Sequence, residues 1–314
     1  MSLKHRLISL IPHALVKVFA RPYIAGDSLI KAISCAEQLF AQHQLHTTLD
    51  LLGEGIQNAD DIANERQQYL DAIDQIQHPE YITFSLKPTQ MGLGLDDDLC
   101  TQNIRDLLVA AAPKNIHITI DMEESKVVSQ TLELYRTLRQ DHENVGTVLQ
   151  SRLFRTQDDI PTYLDGHRAH IRLCLGIYVE PKEIAYTRKK DMKDNFMRLL
   201  EQLFAAGHYV GIATHDTLLI QRSLELIERM GITPQDCEFQ MLLGVPRHAI
   251  QQQLIAQGYR VRIYLPYATQ WSNALAYSQR RLIENPMMGM HVLKNLFDAL
   301  LRRFRSSPKL PPST

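Results

Sequence analysis

The chain has 314 residues, of which 45% are hydrophobic and 22% are charged, and its formal net charge is -1. This length is sufficient to bury a full core, and the near-neutral charge gives no support for a nucleic-acid partner. The four cysteines, at positions 35, 100, 174 and 237, form no CxxC pair. We therefore predict neither a metal site nor a disulfide framework, and this use of cysteine is typical of a cytoplasmic protein.

Residues 1–45 precede the first predicted strand and are expected to form a helical arm. An apolar run at residues 7–16 is interrupted by Pro12 and His13. It is too short to span a bilayer and lacks a cleavage pattern of small residues, so we predict no signal peptide. Further along, apolar residues from Leu29 to Phe40 recur at helical spacing, which favours a helix packed on the domain that follows.

Eight short apolar segments come next, and each is followed by a longer segment with helical periodicity. The predicted strands are 47–52, 81–86, 116–121, 145–149, 171–175, 209–213, 238–242 and 261–264. Segments 126–140, 195–206 and 216–230 have the clearest helical spacing between them. Eight alternating β and α units predict an α/β fold, a closed (βα)8 TIM-like barrel. An open doubly wound sheet is disfavoured because no GxGxxG turn is present.

A further helix is predicted at residues 290–304, beyond the eighth unit. Its apolar residues share one face, and Arg302, Arg303 and Arg305 lie beside that face. Such a helix either lies on an anionic bilayer or packs on the barrel, and the sequence leaves both open. We divide the chain into an N-terminal helical arm (1–45), a catalytic barrel (46–289), and a C-terminal helix with a disordered tail (290–314).

Polar residues follow the predicted strands at their carboxyl ends, where barrels of this kind carry their active sites. Charged groups at buried strand ends are costly unless they are paired or functional, so their number favours a site. Other interpretations remain open for some of them. Glu123, Glu124 and the Thr214-His215-Asp216 segment are also typical helix caps. The segment from Tyr277 to Glu284 is also typical of a solvated helix face with ion pairs.

The order of short motifs along the barrel resembles the proline dehydrogenase family, over roughly residues 49–286. The motifs are Leu49-Asp-Leu-Leu-Gly-Glu54, Ser85-Leu-Lys87, Ile120-Asp-Met-Glu-Glu124, Val148-Leu-Gln150, Arg172-Leu-Cys-Leu-Gly-Ile-Tyr178, Ala213-Thr-His215, Glu238-Phe-Gln-Met-Leu242, Arg262-Ile-Tyr264 and Arg280-Arg-Leu-Ile-Glu284. The resemblance implies oxidation of L-proline to Δ1-pyrroline-5-carboxylate with FAD as cofactor. It also implies a quinone as electron acceptor, and hence contact with the inner face of the cytoplasmic membrane.

The resemblance also implies roles for individual residues. Proline-binding positions are Lys87, Asp121, Tyr178, Leu242, Tyr264, Arg280, Arg281 and Glu284. Among them, Lys87, Arg280 and Arg281 match the cations that hold the carboxylate, with Asp121 and Glu284 as their acidic partners. FAD-contacting positions are Gln150, Arg172, Gly176, Thr214 and His215, and the residues expected to act in catalysis are Arg172, Tyr264 and Asp121.

The fifth strand departs from the family pattern Arg-Leu-Val-Lys-Gly-Ala-Tyr. Leu175 replaces the lysine, and Ile177 replaces the alanine. Two alternatives therefore stay open: a flavin barrel that acts on a related cyclic amino acid such as hydroxyproline, and a degenerate barrel without catalysis. The sequence does not indicate an oligomeric state.

Overall fold

The structure is a computed structural model that describes residues 21–53, 58–164 and 166–270, together with Asn273 and Tyr277. Three predicted site residues, Arg280, Arg281 and Glu284, lie outside the described residues, as do the predicted helix at 290–304 and the tail. The three-part division of the chain stays a prediction.

Eight parallel strands form a closed barrel in which each strand pairs with the next and the eighth pairs with the first. They are β1 (His46–Leu51), β2 (Ile82–Leu86), β3 (Ile118–Ile120), β4 (Val145–Gln150), β5 (His170–Cys174), β6 (Tyr209–Ala213), β7 (Cys237–Leu242) and β8 (Arg260–Tyr267). The predicted (βα)8 barrel is thus confirmed.

Helices cover the outside of the barrel, and one precedes β1. They are α1 (Leu29–His43), α2 (Ala59–Gln75), α3 (Asp97–Ala111), α4 (Val128–Arg139), α5 (Thr156–Tyr163), α6 (Lys189–Ala205), α7 (Thr217–Met230) and α8 (His248–Ala256). Several helices begin after a residue whose side chain accepts a hydrogen bond from a backbone amide of the first turn. Asp96, for example, accepts from the Leu99 amide at 2.9 Å. In the described part of the chain, none of these helices has the length and apolar character that crossing a bilayer requires.

The interface between strands and helices is apolar and closely packed. Leu49, Phe84 and Phe239 each leave less than 2% of their surface exposed. These side chains alternate along their strands with residues that line the inside of the barrel, as the period of two in a strand requires. The sheet therefore buries its hydrophobic side chains outward, against the helices.

The inside of the barrel is polar, unlike the layers of branched apolar side chains that usually fill this fold. Polar inward-facing residues include Thr48, Asp50, Ser85, Asp121, Arg172, Glu238, Gln240, Arg262 and Tyr264. Two cavities remain: an upper cavity of about 380 Å³ at the carboxyl ends of the strands, and a lower cavity of about 330 Å³ at their amino ends. Arg172 and Gln240 line both, so this pair forms the partition between them.

Candidate active site

The upper cavity is lined by every predicted site residue that the structure describes. These are Lys87, Asp121, Gln150, Arg172, Gly176, Tyr178, Thr214, His215, Leu242 and Tyr264. They come from β2 to β8 and the loops that follow, so closure of the barrel is what brings them together. Their individual roles stay predictions, but they share one concave surface in the part of the fold where barrel enzymes carry their chemistry.

Arg172 is held at the floor of the upper cavity by three hydrogen bonds. Its Nη1 donates to Asp121 Oδ1, its Nη2 to Ser85 Oγ at 2.9 Å, and its Nε to Gln240 Oε1 at 2.6 Å. A guanidinium has five N–H bonds. Among the described residues, two of them therefore have no protein acceptor and are available to a ligand.

Tyr264 completes the environment of Arg172. Its hydroxyl donates to Asp121 Oδ2 at 2.7 Å, and the Arg172 Cζ lies 5.1 Å from the centre of its ring, a cation–π distance. Burial, followed by the charges of Asp121 and Asp50, raises the pKa of Tyr264 well above its usual value. Tyr264 is therefore a neutral hydrogen-bond donor at neutral pH.

Lys87 pairs with an acid to which the sequence motifs assign no role. Its Nζ lies 3.0 Å from Asp50 Oδ1 and 3.2 Å from Asp50 Oδ2. Burial alone would lower the pKa of Lys87, but the charges of Asp50 and Asp121 outweigh burial and raise it. Asp121, which the resemblance implies as an acidic partner of the carboxylate-binding cations, accepts from Arg172 with its Oδ1 and from Tyr264 with its Oδ2. Asp50 takes the lysine because β1 and β2 are adjacent strands.

Gln150 lines the upper cavity and has a buried acceptor. Its Nε2 donates to the backbone oxygen of Glu123 at 2.8 Å, whereas its Oε1 has no hydrogen-bond partner among the described residues. The backbone of Gly176 approaches this oxygen so closely that a Cβ at Gly176 would lie 2.5 Å from it. A buried carbonyl without a partner is costly, so this position fits a ligand that carries an N–H donor, as an isoalloxazine ring does.

His215 connects β6 to β7 at the edge of the cavity. Its Nε2 accepts a hydrogen bond from the Leu242 amide at 2.8 Å, which assigns the proton of a neutral ring to Nδ1. The adjacent Thr214 Oγ1 accepts from the Asp216 amide at 3.1 Å. Asp216 itself caps α7 by accepting from the Leu219 amide at 2.9 Å, so the capping interpretation of this segment holds for Asp216.

Two other open interpretations can be resolved. Glu123 does not cap the helix that follows it, because its two oxygens accept from the backbone and hydroxyl of Thr89, in the first turn of the short 3-10 helix Pro88–Met91, at 3.2 Å and 2.9 Å. Glu124 forms a solvent-exposed ion pair with Lys126. Tyr277 is only 7% exposed and lines the upper cavity, so the interpretation as a solvated face is wrong for that residue.

The two departures on the fifth strand both line the cavity. Leu175 and Ile177 take part in its wall, and Ile177 remains 43% exposed at its rim. Cys174, at the end of β5, also lines the cavity, and burial raises the pKa of its thiol to about 11. This thiol is therefore protonated at neutral pH and is a poor nucleophile.

Two functional candidates, Asp50 and Gln240, were not assigned a role from the sequence. Asp50 is an acid between two leucines of a predicted buried strand, where an ionisable side chain needs a partner or a function. A role for Asp50 was therefore detectable from the residues next to it in the sequence. Gln240 was visible as a polar residue on the seventh strand, but its contact with Arg172 spans 68 positions and depends on closure of the barrel.

Comparison with known proteins gives a consistent result. The family profile described as "Proline dehydrogenase" matches residues 32–291. Proline dehydrogenase 2 of Bacillus subtilis (strain 168) is 36% identical over 272 residues, which cover 86% of this chain and 88% of that protein. Proline dehydrogenase of Deinococcus radiodurans is 37% identical over 285 residues, covering 88% and 89% respectively.

Solved structures share the fold. Proline utilization A from Bdellovibrio bacteriovorus, inactivated by N-propargylglycine, superposes with a TM-score of 0.78 at 20% identity, over 85% of this chain. Proline utilization A from Corynebacterium freiburgense gives a TM-score of 0.74 at 20% identity, over 99% of this chain. The chain spans about a third of the length of these structures, 32% and 36% respectively. From the extent of the family match and the identity to its curated relatives, we conclude that the chain belongs to the proline dehydrogenase family, a family of oxidoreductases.

Proposed function

We propose that the chain oxidises L-proline to Δ1-pyrroline-5-carboxylate with FAD held in the upper cavity, and passes the electrons to a quinone. The observation that carries this proposal is the position of Arg172, a fixed cation with two available N–H bonds, in the same cavity as the unpartnered oxygen of Gln150. An acceptor and a cation on one surface match a flavin, which offers an N–H and gains electron density when it is reduced.

The residues that would hold FAD are Gln150, Arg172, Gly176, Thr214 and His215. When bound, FAD supplies the chemistry by accepting a hydride from the ring carbon next to the proline nitrogen. The chain supplies position and electrostatics. Arg172 would stabilise negative charge at the acceptor, because its guanidinium is fixed before the reaction begins and needs no reorganisation.

Lys87 would bind the proline carboxylate, together with Arg280 and Arg281. The resemblance supports this assignment for all three cations, and the cavity position supports it for Lys87. Arginine suits a carboxylate because its planar fork can donate two parallel hydrogen bonds. Tyr178, Leu242 and Tyr264 would pack around the ring, with Asp121 holding the Tyr264 hydroxyl in place. Water is the simplest acceptor for the proton of the proline amine.

Transfer to a quinone would bring the protein to the membrane, and the helix predicted at residues 290–304 is our candidate contact. Its basic residues would be attracted to anionic lipids. Charge reversal of Arg302, Arg303 and Arg305 in the full chain should release the protein from anionic vesicles in a co-sedimentation assay. Unchanged sedimentation would exclude this helix as the contact.

The direct test uses the colour of the protein. The purified chain incubated with FAD should be yellow after removal of free cofactor, and the flavin absorbance should bleach when L-proline is added without oxygen. A yellow protein that bleaches with hydroxyproline and not with proline would favour the related cyclic amino acid. A yellow protein that bleaches with neither, or one that retains no FAD, would contradict the proposal and favour a barrel without catalysis.

A further inference from the structure

The partition between the two cavities contains Gln240, a side chain to which the proposed chemistry has not yet given a role. Below Arg172, hydrogen bonds continue downward through Gln240 to Glu238 and Arg262. Gln240 Nε2 donates to Glu238 Oε1 at 2.7 Å, and Arg262 Nε donates to the same oxygen at 2.7 Å. These contacts join the site at the upper end of the barrel to an ion pair near its lower end.

Glu238 is fixed and ionised. It is 3% exposed, and its second oxygen accepts from the Tyr209 hydroxyl at 3.0 Å. Burial alone would raise the pKa of Glu238, but Arg262 and Arg260 outweigh burial and lower it to about 2. Arg262 is in turn held by the Thr47 carbonyl at 2.9 Å and by Thr83 Oγ1 at 3.1 Å.

Gln240 therefore lies between a group that can only accept hydrogen bonds and a group that can only donate them. A carboxylate accepts and a guanidinium donates, so only one orientation of the amide satisfies both. That orientation places the amide nitrogen on Glu238 and the amide oxygen on Arg172. Gly211 on β6 provides the space, since a Cβ at Gly211 would clash with Gln240 Nε2.

We propose that Gln240 is a positioning residue for Arg172: Glu238 sets the direction of the Gln240 amide, and the amide holds the guanidinium in the pose that leaves two N–H bonds for a ligand in the upper cavity. The inference deepens the proposed function and rests on it. Without the amide, Arg172 keeps Asp121 and Ser85, which both lie on the side of β2 and β3, and loses its restraint from β7.

The test compares two buried glutamines in the full chain loaded with FAD. Gln240→Met removes both hydrogen bonds while nearly conserving volume. Gln251→Met is the matched control, because Gln251 is a 7% exposed glutamine on α8 whose amide contacts only Met241 Sδ, at 3.6 Å, among the described residues. We expect Gln240→Met to lower kcat roughly tenfold, well below the ~10²–10³ lost with a direct donor. The KM for proline and the Kd for FAD should stay within about threefold of the parent.

The midpoint potential of the bound flavin is a readout that a merely structural role would not move. It should become more negative in Gln240→Met, since a less well-placed Arg172 stabilises the reduced cofactor less, and it should be unchanged in Gln251→Met. If Gln240→Met does not fold, Gln240→Asn serves instead, because its shorter amide cannot reach Glu238 and Arg172 together, and the potential should again become more negative. Parental potential and kcat in the variant that folds would overturn the positioning role alone. A parent protein that retains no FAD would overturn the proposed function as well.

Discussion

The Asp50–Lys87 pair shows how one residue can have a structural and a functional contribution that are measured separately. Asp50 is 1% exposed and has Lys87 as its ion-pair partner, whereas Lys87 also lines the upper cavity. Removing one partner of a buried pair is strongly destabilising, but replacing both with apolar side chains is often tolerated. The free energy of unfolding should therefore depend on whether both members of the pair are kept or both are replaced. Binding of proline should depend on the presence of the Lys87 cation.

We expect Lys87→Met to lower the free energy of unfolding by about 3–5 kcal/mol, because it leaves the Asp50 carboxylate without its counterion. The double variant Asp50→Leu/Lys87→Met should recover most of that loss. Both variants should raise the KM for proline at least tenfold, ~1.4 kcal/mol. Denaturant unfolding and steady-state kinetics on the same preparations measure the two effects. A KM within twofold of the parent in both variants would contradict the role of Lys87 in substrate binding.

Sequence patterns predicted the strands well where burial and pairing coincide. The predicted strand 209–213 has the bounds observed for β6, Tyr209–Ala213. The predicted strand 116–121 was too long, because β3 pairs only over Ile118–Ile120. The predicted strand 261–264 was too short, because β8 continues through Pro266 to Tyr267. Proline lacks an N–H and reads as a strand end, but the carbonyl of Pro266 accepts from the Ala25 amide at 2.8 Å.

The loop after β5 depends on a glycine for two reasons that can be separated. Gly176 has φ = 90°, which L residues with a side chain rarely adopt, and its Cα faces the Gln150 amide. Gly258 has a similar φ of 86°, but a Cβ added there would meet no other atom within 4 Å among the described residues. The backbone strain of an alanine is thus similar at both sites, while only one site contacts the proposed flavin wall.

We expect Gly176→Ala and Gly258→Ala to lose a similar amount of stability from backbone strain, about 1–2 kcal/mol. Only Gly176→Ala should also weaken FAD binding, by about tenfold or more, because the new methyl group displaces Gln150 Oε1. Thermal unfolding without FAD and titration with FAD measure the two quantities. Equal FAD affinities in the two variants would show that Gln150 and Gly176 do not contact the cofactor.

At the scale of the whole molecule, the sequence predicted the closed barrel and the end at which the described candidate residues gather, but not the polar interior. The eight alternating β and α units and the order of the motifs were enough to predict the barrel and that end of it. The interior depends on contacts such as Arg172 with Gln240 and Arg262 with Glu238, between residues on different strands. Locally, each of these residues is a polar side chain in a partly apolar strand, and only the registers around the closed sheet bring the partners together.

The lower half of the barrel interior also contains histidines whose imidazole rings are neutral in the folded protein. His170 stacks on Tyr209, at 4.7 Å between ring centres, and contacts the tilted ring of His117, at 4.5 Å. Burial lowers the pKa of His46 and of His170 to about 4, and it lowers the pKa of His117 well below its usual value. An unfolded histidine titrates near pH 6.5. Below that pH the unfolded chain binds protons that the folded chain does not, so acid should favour unfolding.

We therefore expect the stability contributed by these histidines to be complete above pH 6.5 and to be lost progressively as the pH falls to about 4. His170→Gln should reduce the dependence of the unfolding free energy on pH in that window by up to about 3 kcal/mol. The glutamine also loses the ring contacts of His170, and this loss changes the absolute stability. The informative quantity is therefore the slope of the unfolding free energy with pH. Denaturant unfolding at pH 4.5, 5.5, 6.5 and 7.5 (about one unit apart) measures the slope. Equal slopes for the parent and His170→Gln would mean that folding does not lower the pKa of His170, and that its burial does not contribute to acid sensitivity.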